Sequence, residues 1–242
     1  MYYTKNLLKM SDLKSGNQYK YAVIGTGKTG GTVLSKLVDS AIAFDENHEP
    51  TADKLRECDV AIIFVPGTAA EQVAEVVLEA GIPAIWGTTG YAWPEDLATR
   101  VKERSARWVI GSNFSMGMNL VRKAIQILGQ GAGMLQNPSF HIHEVHHTNK
   151  LDAPSGTAIS WMEWLNRDAA ISSDRQGDVK GIHNLHIKTI GESIYLKHEA
   201  HSRDIFAEGA IWSANYILNQ RFIEPGLYQF SDLFDKAFKE AI

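Results

Sequence analysis

The chain has 242 residues with an ordinary globular composition, 44% hydrophobic and 21% charged, and a formal net charge of -4 at pH 7. This length can bury one large core or two modest ones, and the acidic balance argues against a nucleic-acid-binding scaffold, which usually carries a basic face. The single cysteine, Cys58, excludes an intramolecular disulfide, and no apolar run approaches the roughly 18–20 residues that span a bilayer, so we expect a cytoplasmic protein without a membrane or nucleic-acid partner.

The first half of the chain is predicted to be a short extension followed by alternating strands and helices. Residues 1–18 lack the apolar centre of a signal peptide, which predicts a surface extension. Strands are predicted at residues 19–25, 41–44, 59–65, 83–86 and 108–110, and helices at residues 31–39, 69–80 and 94–107. This alternation predicts an α/β fold with a doubly wound parallel sheet.

The pattern changes near Asn113. Helices are predicted at residues 118–128, 157–167 and 207–220, alternating strands at residues 140–143, 185–188 and 193–198, and a polar, glycine-bearing stretch at residues 172–181. We therefore predict a first domain of residues 19–114 and 215–242 and a second, α+β domain of residues 115–214.

A glycine-rich loop, Gly25-Thr26-Gly27-Lys28-Thr29-Gly30, joins the first predicted strand to the first helix. Its spacing is the dinucleotide fingerprint, in which glycines allow a pyrophosphate close to the backbone at a helix N-terminus. Asp45, 20 residues after Gly25, can accept hydrogen bonds from the adenosine ribose and would repel a 2′-phosphate, whereas Lys28 would tolerate one. The alternative is a simple strand–helix turn followed by a surface aspartate.

Two further loops follow later strands of the same predicted sheet, Gly87-Thr88-Thr89-Gly90 and Gly111-Ser112-Asn113-Phe114. Open α/β sheets bind ligands at the carboxyl ends of their strands, so the small and hydroxyl-bearing residues here could accommodate a nicotinamide ring and its ribose. Each loop could equally be a turn without a ligand.

Three chemical interpretations compete for residues 141–157. A metal site would use His141, His143, His146 and His147, although Lys150 adds an unfavourable cation and Glu144 is the only carboxylate close by. A structural interpretation suits His141 and His143 best. The third is acid catalysis beside an anion pocket.

The acid-catalysis interpretation combines a proton donor with two sites for negative charge. A histidine donates protons near neutral pH, and Lys150 can hold a carboxylate as a point charge. The segment Pro154-Ser155-Gly156-Thr157 is predicted to begin a helix whose free N–H groups, with the Thr157 hydroxyl, would bind a second carboxylate. The sequence thus predicts a reductase of a small anionic substrate.

These residues resemble the signature of the 4-hydroxy-tetrahydrodipicolinate reductase (dihydrodipicolinate reductase) family, which serves lysine and diaminopimelate biosynthesis. The matching motif is Glu144-Val145-His146-His147-x-x-Lys150-x-Asp152-Ala153-Pro154-Ser155-Gly156-Thr157-Ala158. Four further segments also match. They are the glycine-rich loop of residues 25–30, the loop Gly87-Thr88-Thr89-Gly90, the segment Asn113-Phe114-Ser115-Met116-Gly117-Met118-Asn119 and the segment Ser202-Arg203-x-x-Phe206-Ala207-x-Gly209-Ala210. The resemblance covers nearly the whole chain after residue 20.

The resemblance implies roles for individual residues. His146 would be the general acid, and Lys150 a second proton donor or a carboxylate holder. The dicarboxylate substrate would contact His147, Gly156 and Thr157. The reduced cofactor, NADH or NADPH with Asp45 favouring NADH, would contact Gly25, Thr26, Gly27, Lys28, Thr29, Asp45, Gly87, Thr88, Thr89, Ser112, Asn113 and Phe114.

The family also implies a Rossmann-like first domain and a second domain whose open mixed sheet builds a homotetramer. Because the cofactor and the acid would lie on different domains, we expect the domains to close, and the residues lead us to expect no metal. The stretch of residues 172–190 departs from the pattern, because it is short and lacks an arginine–glycine and a histidine–threonine loop expected of the family; we assign no site residue to it. Two other functions stay open, a cofactor-binding regulatory protein without turnover and a reductase of another small dicarboxylate.

Overall fold

The structure, a computed structural model, describes residues 19–220 and 223–241, so the extension predicted at residues 1–18 lies outside the described residues. The chain forms two compact units. The first runs to Ser115 and resumes at Arg203, and the second comprises Met116–Ser202. The return lies before the predicted position at residue 215, because the last long helix packs as a whole on elements of the first unit.

The first unit contains one sheet of six strands. They are β1 (Tyr21–Ile24), β2 (Ala41–Phe44), β3 (Val60–Ile63), β4 (Ala84–Trp86), β5 (Arg107–Ile110) and β10 (Gly226–Gln229). All neighbours pair in parallel, in the order β10-β5-β4-β3-β1-β2. Every residue of β1 and β3 is buried, as expected for a sheet covered on both faces. The predicted doubly wound α/β fold is confirmed.

Six helices surround this sheet. They are α1 (Lys28–Leu37), α2 (Ala52–Arg56), α3 (Ala70–Ala80), α4 (Leu97–Glu103), α7 (Asp204–Asn219) and α8 (Phe230–Ala241). Helix α7 packs on α1, β3 and β4, and α8 packs on β10 and β5. Gly81 ends α3 in the left-handed conformation, with φ 70°, which is the usual backbone of a glycine that caps a helix C-terminus. Elements α2, α8 and β10 were not predicted.

The strand order places a topological switch point in the first unit. β1 lies between β2 and β3, so the chain leaves β1 toward one side of the sheet and later returns on the other. A crevice forms outside the carboxyl ends of strands at such a point, and ligands of open α/β sheets bind there. The fold therefore puts the loops after β1, β2 and β3 around one cleft.

The second unit is a four-stranded mixed sheet with two helices. Its elements are α5 (Met116–Gly131), β6 (Ser139–His146), α6 (Gly156–Leu165), β7 (Ala170–Arg175), β8 (Ile182–Lys188) and β9 (Ser193–Glu199). The order is β7-β6-β8-β9, with β7 parallel to β6 and the other pairs antiparallel. The core joins Trp161 and Leu165 of α6 to Ile142 and Leu185 of the sheet.

The polar, glycine-bearing stretch of residues 172–181, in which no strand was predicted, is strand as far as Arg175. β7 is an edge strand, and its pairing to β6 depends on main-chain hydrogen bonds that a sequence without alternating polarity does not reveal.

Among the described residues, no helix is long and apolar enough to cross a membrane.

Candidate active site

A cleft of about 870 Å³ opens at the switch point of the first unit. Eight of the predicted cofactor residues line it: Gly25, Thr26, Gly27, Lys28, Thr29, Asp45, Gly87 and Thr89. The sequence therefore located the cleft through the loops that follow β1, β2 and β4. Its lining also includes Phe64 and Val65, which follow β3.

The three glycines of the first loop have different physical roles. Gly25 has φ 91°, and a Cβ there would lie 2.4 Å from the Phe64 carbonyl oxygen. A Cβ on Gly30 would lie 1.8 Å from the Gly25 carbonyl oxygen, whereas one on Gly27 would meet nothing within 4 Å. Gly25 and Gly30 therefore allow close backbone packing, and Gly27 leaves open space.

Helix α1 begins at Lys28, three residues before the predicted start at residue 31. Its first-turn N–H groups have no partner within the helix, and Gly27, at the cap position, has no side chain to occupy them. This terminus, with the open space at Gly27, fits the phosphates of a dinucleotide.

Asp45 is held at the rim of the cleft by a local turn. Its Oδ1 accepts hydrogen bonds from the backbone N–H groups of Asn47 and His48, at 2.9 and 3.0 Å. Glu46 and Glu49 line the same cleft, so three carboxylates and the Lys28 ammonium surround it. The negative charge on this side of the cleft is therefore larger than Asp45 alone provides.

The remaining predicted cofactor residues do not line the cleft. Thr88 is buried, and its hydroxyl has no hydrogen-bond partner. Ser112 is exposed, Asn113 accepts a hydrogen bond from the Ser115 N–H, and Phe114 is buried against Phe230. Four predicted cofactor residues, Thr88, Ser112, Asn113 and Phe114, therefore lie outside the cleft lining.

The second unit contains a buried cluster of acid–base groups around Glu144. Glu144 and His146 are two residues apart on β6 and so project from the same face of the sheet. His146 Nδ1 lies 3.2 Å from Glu144 Oε2. His183 is the cross-strand partner of Glu144 on β8, and its ring centroid lies 5.0 Å from that of His146.

Arg175, the last residue of β7, reaches the same carboxylate from the neighbouring strand. Its terminal nitrogens lie 3.4 and 3.5 Å from Glu144 Oε1. The guanidinium also donates to two backbone carbonyls of the loop between β6 and α6, those of Lys150 at 3.3 Å and of Asp152. Arg175 therefore links the buried carboxylate to the loop that carries Lys150.

The predicted anion pocket lies at the start of α6. The helix begins at Gly156 rather than at residue 157, and Ser155 is its N-cap, accepting a hydrogen bond from the Ala158 N–H at 3.2 Å. Gly156 is exposed, and a Cβ there would meet nothing within 4 Å. The first-turn N–H groups of Gly156 and Thr157 have no helical acceptor and are open to an anion.

Two other predicted residues lie in the loop between β6 and α6. The Lys150 ammonium pairs with Asp152 at 2.8 Å and is partly exposed. His147 is also partly exposed. The second unit thus brings His146, His147, Lys150, Gly156 and Thr157 into one short region of chain, with a cation and a helix start beside a buried imidazole.

The environment sets the charge of each group in the cluster. Burial raises the pKa of Glu144, but hydrogen bonds from Ser155 and Ser173 and the neighbouring His146 outweigh burial and lower the pKa below its usual value. Burial lowers the pKa of His146, with Glu144 opposing the change. Burial and the neighbouring His146 lower the pKa of His183 to about 4. The resting cluster is therefore an ionised carboxylate with two neutral imidazoles.

The four histidines considered for a metal site are not brought together. His141 and His143 contact Ser172 and Asp174, each at 2.9 Å, in agreement with a structural role. Within the part of the chain that the structure describes, the group with metal-ligand spacing is Glu144, His146 and His183, whose ligand atoms lie within 4.8 Å of one another. The Arg175 guanidinium already neutralises this carboxylate, which favours an ion-paired cluster over a bound cation.

Sequence reasoning missed Arg175 and His183. Both belong to the stretch of residues 172–190, in which no site residue was predicted from the sequence. A signal was present, since His183 belongs to an alternating strand pattern and lies two residues after Gly181. A Cβ on Gly181 would lie 3.2 Å from His146 Nε2, so glycine leaves room at the atom that faces away from Glu144.

Comparisons with known proteins agree with both units. A family model described as "Dihydrodipicolinate reductase, C-terminus" matches residues 117–234. The 4-hydroxy-tetrahydrodipicolinate reductase of Thermosipho africanus is 31% identical over 227 residues, covering 90% of this chain and 99% of the relative. That of Christiangramia forsetii is 31% identical over 244 residues, covering 90% and 98%.

A solved structure, dipicolinate-bound dihydrodipicolinate reductase from Paenisporosarcina sp. TG-14, has a TM-score of 0.70 at 15% identity and covers 88% of this chain and 98% of that one. At that identity the likeness concerns the fold.

Proposed function

The chain belongs to the 4-hydroxy-tetrahydrodipicolinate reductase family, and from that membership we propose that it reduces 4-hydroxy-tetrahydrodipicolinate to tetrahydrodipicolinate with a reduced nicotinamide cofactor, in lysine and diaminopimelate biosynthesis. The observation that carries the proposal is the region of the second unit in which a buried His146, the Lys150 ammonium and the open start of α6 come together. A proton donor and two anion sites are what reduction of a small dicarboxylate requires.

Lys150 and the first turn of α6 hold the two carboxylates of the substrate. The Lys150 ammonium exchanges its partner Asp152 for one carboxylate, an exchange between anions that costs little because the Asp152 carboxylate is exposed and returns to water. The N–H groups of Gly156 and Thr157 and the Thr157 hydroxyl bind the other, with His147 beside them. Two fixed carboxylates leave the ring one orientation, which lowers the entropic barrier to reaction.

His146 supplies the proton that completes the reduction. Its Nδ1 faces the Glu144 carboxylate, so Nε2 is the atom that donates. In the resting protein the imidazole is neutral, because burial outweighs the attraction of Glu144. The two carboxylates of the arriving substrate raise the proton affinity of His146, which takes a proton from solvent and is an imidazolium when a proton donor is needed.

The nicotinamide cofactor supplies the hydride when bound. The cleft of the first unit fits it: the start of α1 and the open space at Gly27 accept the phosphates, and Asp45 accepts the ribose hydroxyls. We propose a preference for NADH, since Asp45, Glu46 and Glu49 together repel a 2′-phosphate more strongly than Lys28 attracts it.

The proposal extends to assembly and place. We propose a homotetramer built on the open face of the second unit's sheet, where polar and aromatic side chains such as His141, His186 and Tyr195 lie outward; light scattering should give four times the mass of the chain. We propose the cytoplasm as the site of reaction, which the single unpaired cysteine supports.

An assay with freshly generated substrate tests the function. The upstream synthase should be run in the same cuvette, and oxidation of NADH and NADPH followed by absorbance, with controls lacking synthase. We expect oxidation only when the synthase is present. Dipicolinate, which is bound in the solved Paenisporosarcina reductase, should inhibit in competition with the substrate.

Two results would overturn the proposed function. Tight NADH binding without turnover would identify a cofactor-binding regulatory protein. Faster oxidation with a 2-oxo or imino dicarboxylate than with the synthase product would identify a reductase of another small dicarboxylate.

A further inference from the structure

We infer that Glu144 and Arg175 act together as positioning residues: Glu144 fixes the tautomer and charge of His146, and Arg175 fixes both Glu144 and the loop that carries Lys150. The inference rests on the proposed function, because it concerns how the proton donor and the carboxylate holder are kept in place. Neither residue needs to touch the substrate. Both act through the groups that do.

The first step concerns the tautomer of His146. The 3.2 Å between His146 Nδ1 and Glu144 Oε2 is an ion-pair distance, and neither atom makes a hydrogen bond of good geometry. Because a carboxylate oxygen has no hydrogen to donate, this contact is favourable when Nδ1 carries the hydrogen. The neutral ring is therefore protonated on Nδ1 and has a lone pair on Nε2. Only the doubly protonated ring can donate from Nε2, and the Glu144 charge stabilises that form.

The second step concerns how Glu144 stays ionised although it is fully buried. A buried carboxylate without partners would take up a proton. Here Oε1 accepts from the Ser155 N–H at 2.9 Å and faces the Arg175 guanidinium at 3.4 Å, which leaves Oε2 for the histidines. His183 Nε2 lies 3.7 Å from Oε2 but stays neutral, since its pKa is about 4. His146 is therefore the imidazole whose charge the carboxylate supports.

The third step concerns the loop. Arg175 donates to the backbone carbonyls of Lys150 and Asp152 with nitrogens of the same planar group that faces Glu144. A guanidinium presents several N–H donors in fixed directions, whereas a lysine ammonium is a point charge and cannot span these acceptors. Arg175 thus sets the distance between the proton donor and the Lys150 ammonium.

Glu144→Gln tests the first two steps. The amide keeps the shape and can still accept from Nδ1, but it removes the charge. The groups that face His146 are otherwise unchanged: His183 on β8, Arg175 on β7, and Lys150 and Asp152 in the loop. We expect the alkaline limb of the kcat profile to move down by about one pH unit, and kcat at neutral pH to fall about tenfold, while NADH affinity stays the same.

Arg175→Lys tests the third step. It keeps one positive charge and loses the fork, so we expect KM for the dicarboxylate to rise about tenfold with a smaller change in kcat. Glu144→Asp is the companion variant: it retains the charge at a greater distance and should restore part of the wild-type pH profile if Glu144→Gln folds poorly. Thermal melts and NADH titrations accompany every variant.

The outcomes separate the inference from its premise. A Glu144→Gln protein with wild-type kcat and pH profile would overturn the positioning role of Glu144, and an Arg175→Lys protein with wild-type KM would overturn that of Arg175. Loss of activity on adding a chelator would show that the cluster holds a metal instead. If His146→Gln also keeps full activity, the acid assignment of the proposed function is the part that fails.

Discussion

The cleft of the first unit and the cluster around Glu144 in the second unit are shaped by different parts of the polypeptide. The cleft is shaped by backbone: glycines that allow carbonyls to approach, the start of α1, and loops at the ends of parallel strands. The cluster is shaped by side chains, since Glu144, Arg175 and His183 reach one point from β6, β7 and β8. A backbone site tolerates changes of side chain at its rim, whereas a buried charged cluster depends on each member.

Replacing the proton donor should have the largest effect. His146→Gln removes a group that can donate a proton at Nε2, and we expect kcat to fall about 10²–10⁴-fold with NADH affinity nearly unchanged. His143→Gln is the matched control. His143 lies on the same strand as His146 but pairs with Asp174, so this variant should stay active. Full activity in His146→Gln would mean that the cluster is not the acid.

Acid should weaken the second unit more than the first. The pKa of His183 is about 4 when folded and about 6.5 when unfolded, so the unfolded chain binds more protons between these values. The stability that this difference contributes is present above pH 6.5 and is lost as the pH falls toward 4, by about 3 kcal/mol at most. Urea unfolding across this range should show the loss.

His183→Gln provides the comparison for acid unfolding. The variant should have a flatter dependence of unfolding free energy on pH than the wild type, whatever its absolute stability. An unchanged slope would assign the acid sensitivity to other groups.

Adding one methyl group should separate the two kinds of glycine in the cleft. Gly30→Ala places a Cβ against the Gly25 carbonyl and should cost about 1–3 kcal/mol of stability, lowering Tm. Gly27→Ala has open space and should leave Tm unchanged while weakening dinucleotide binding. Equal melting temperatures for the two variants would contradict a cleft built on backbone packing.

The smallest predicted effect concerns cofactor choice at the rim of the cleft. Asp45→Ser removes one of three carboxylates near the expected ribose site and should shift the NADH to NADPH ratio of kcat/KM toward NADPH by about tenfold. Glu71→Gln, an acidic residue of α3 outside the cleft lining, is the control. If both variants shift the ratio equally, net charge rather than Asp45 sets the preference.

The two regions also differ in how far sequence predicts them. The glycine spacing, the strand before it and Asp45 lie close together in the chain, so the cleft was located from local pattern. Of the cluster, the sequence predicted His146 and Lys150, which belong to one motif. Arg175 and His183 were not predicted, because only the register of β7 and β8 against β6 brings them to the motif. The spacing of residues along the chain does not predict the register of β7 and β8 against β6.

The same reason explains the errors in the fold. The helix α7 was divided between two domains because its sequence gives no sign of which unit it packs on, and β10 was missed because a four-residue edge strand has almost no pattern of its own. Tertiary pairing decides both.

Ser155 connects the start of α6 to the Glu144–His146 pair of β6. Its side chain caps α6 and its N–H holds Glu144, which in turn holds His146. The separation between the anion-binding helix start and the donated proton is therefore a fixed length. Under the proposed function we expect a substrate to be accepted when the path from its carboxylate to the carbon that takes the proton matches this length, so that the region would discriminate by molecular dimension as well as by charge.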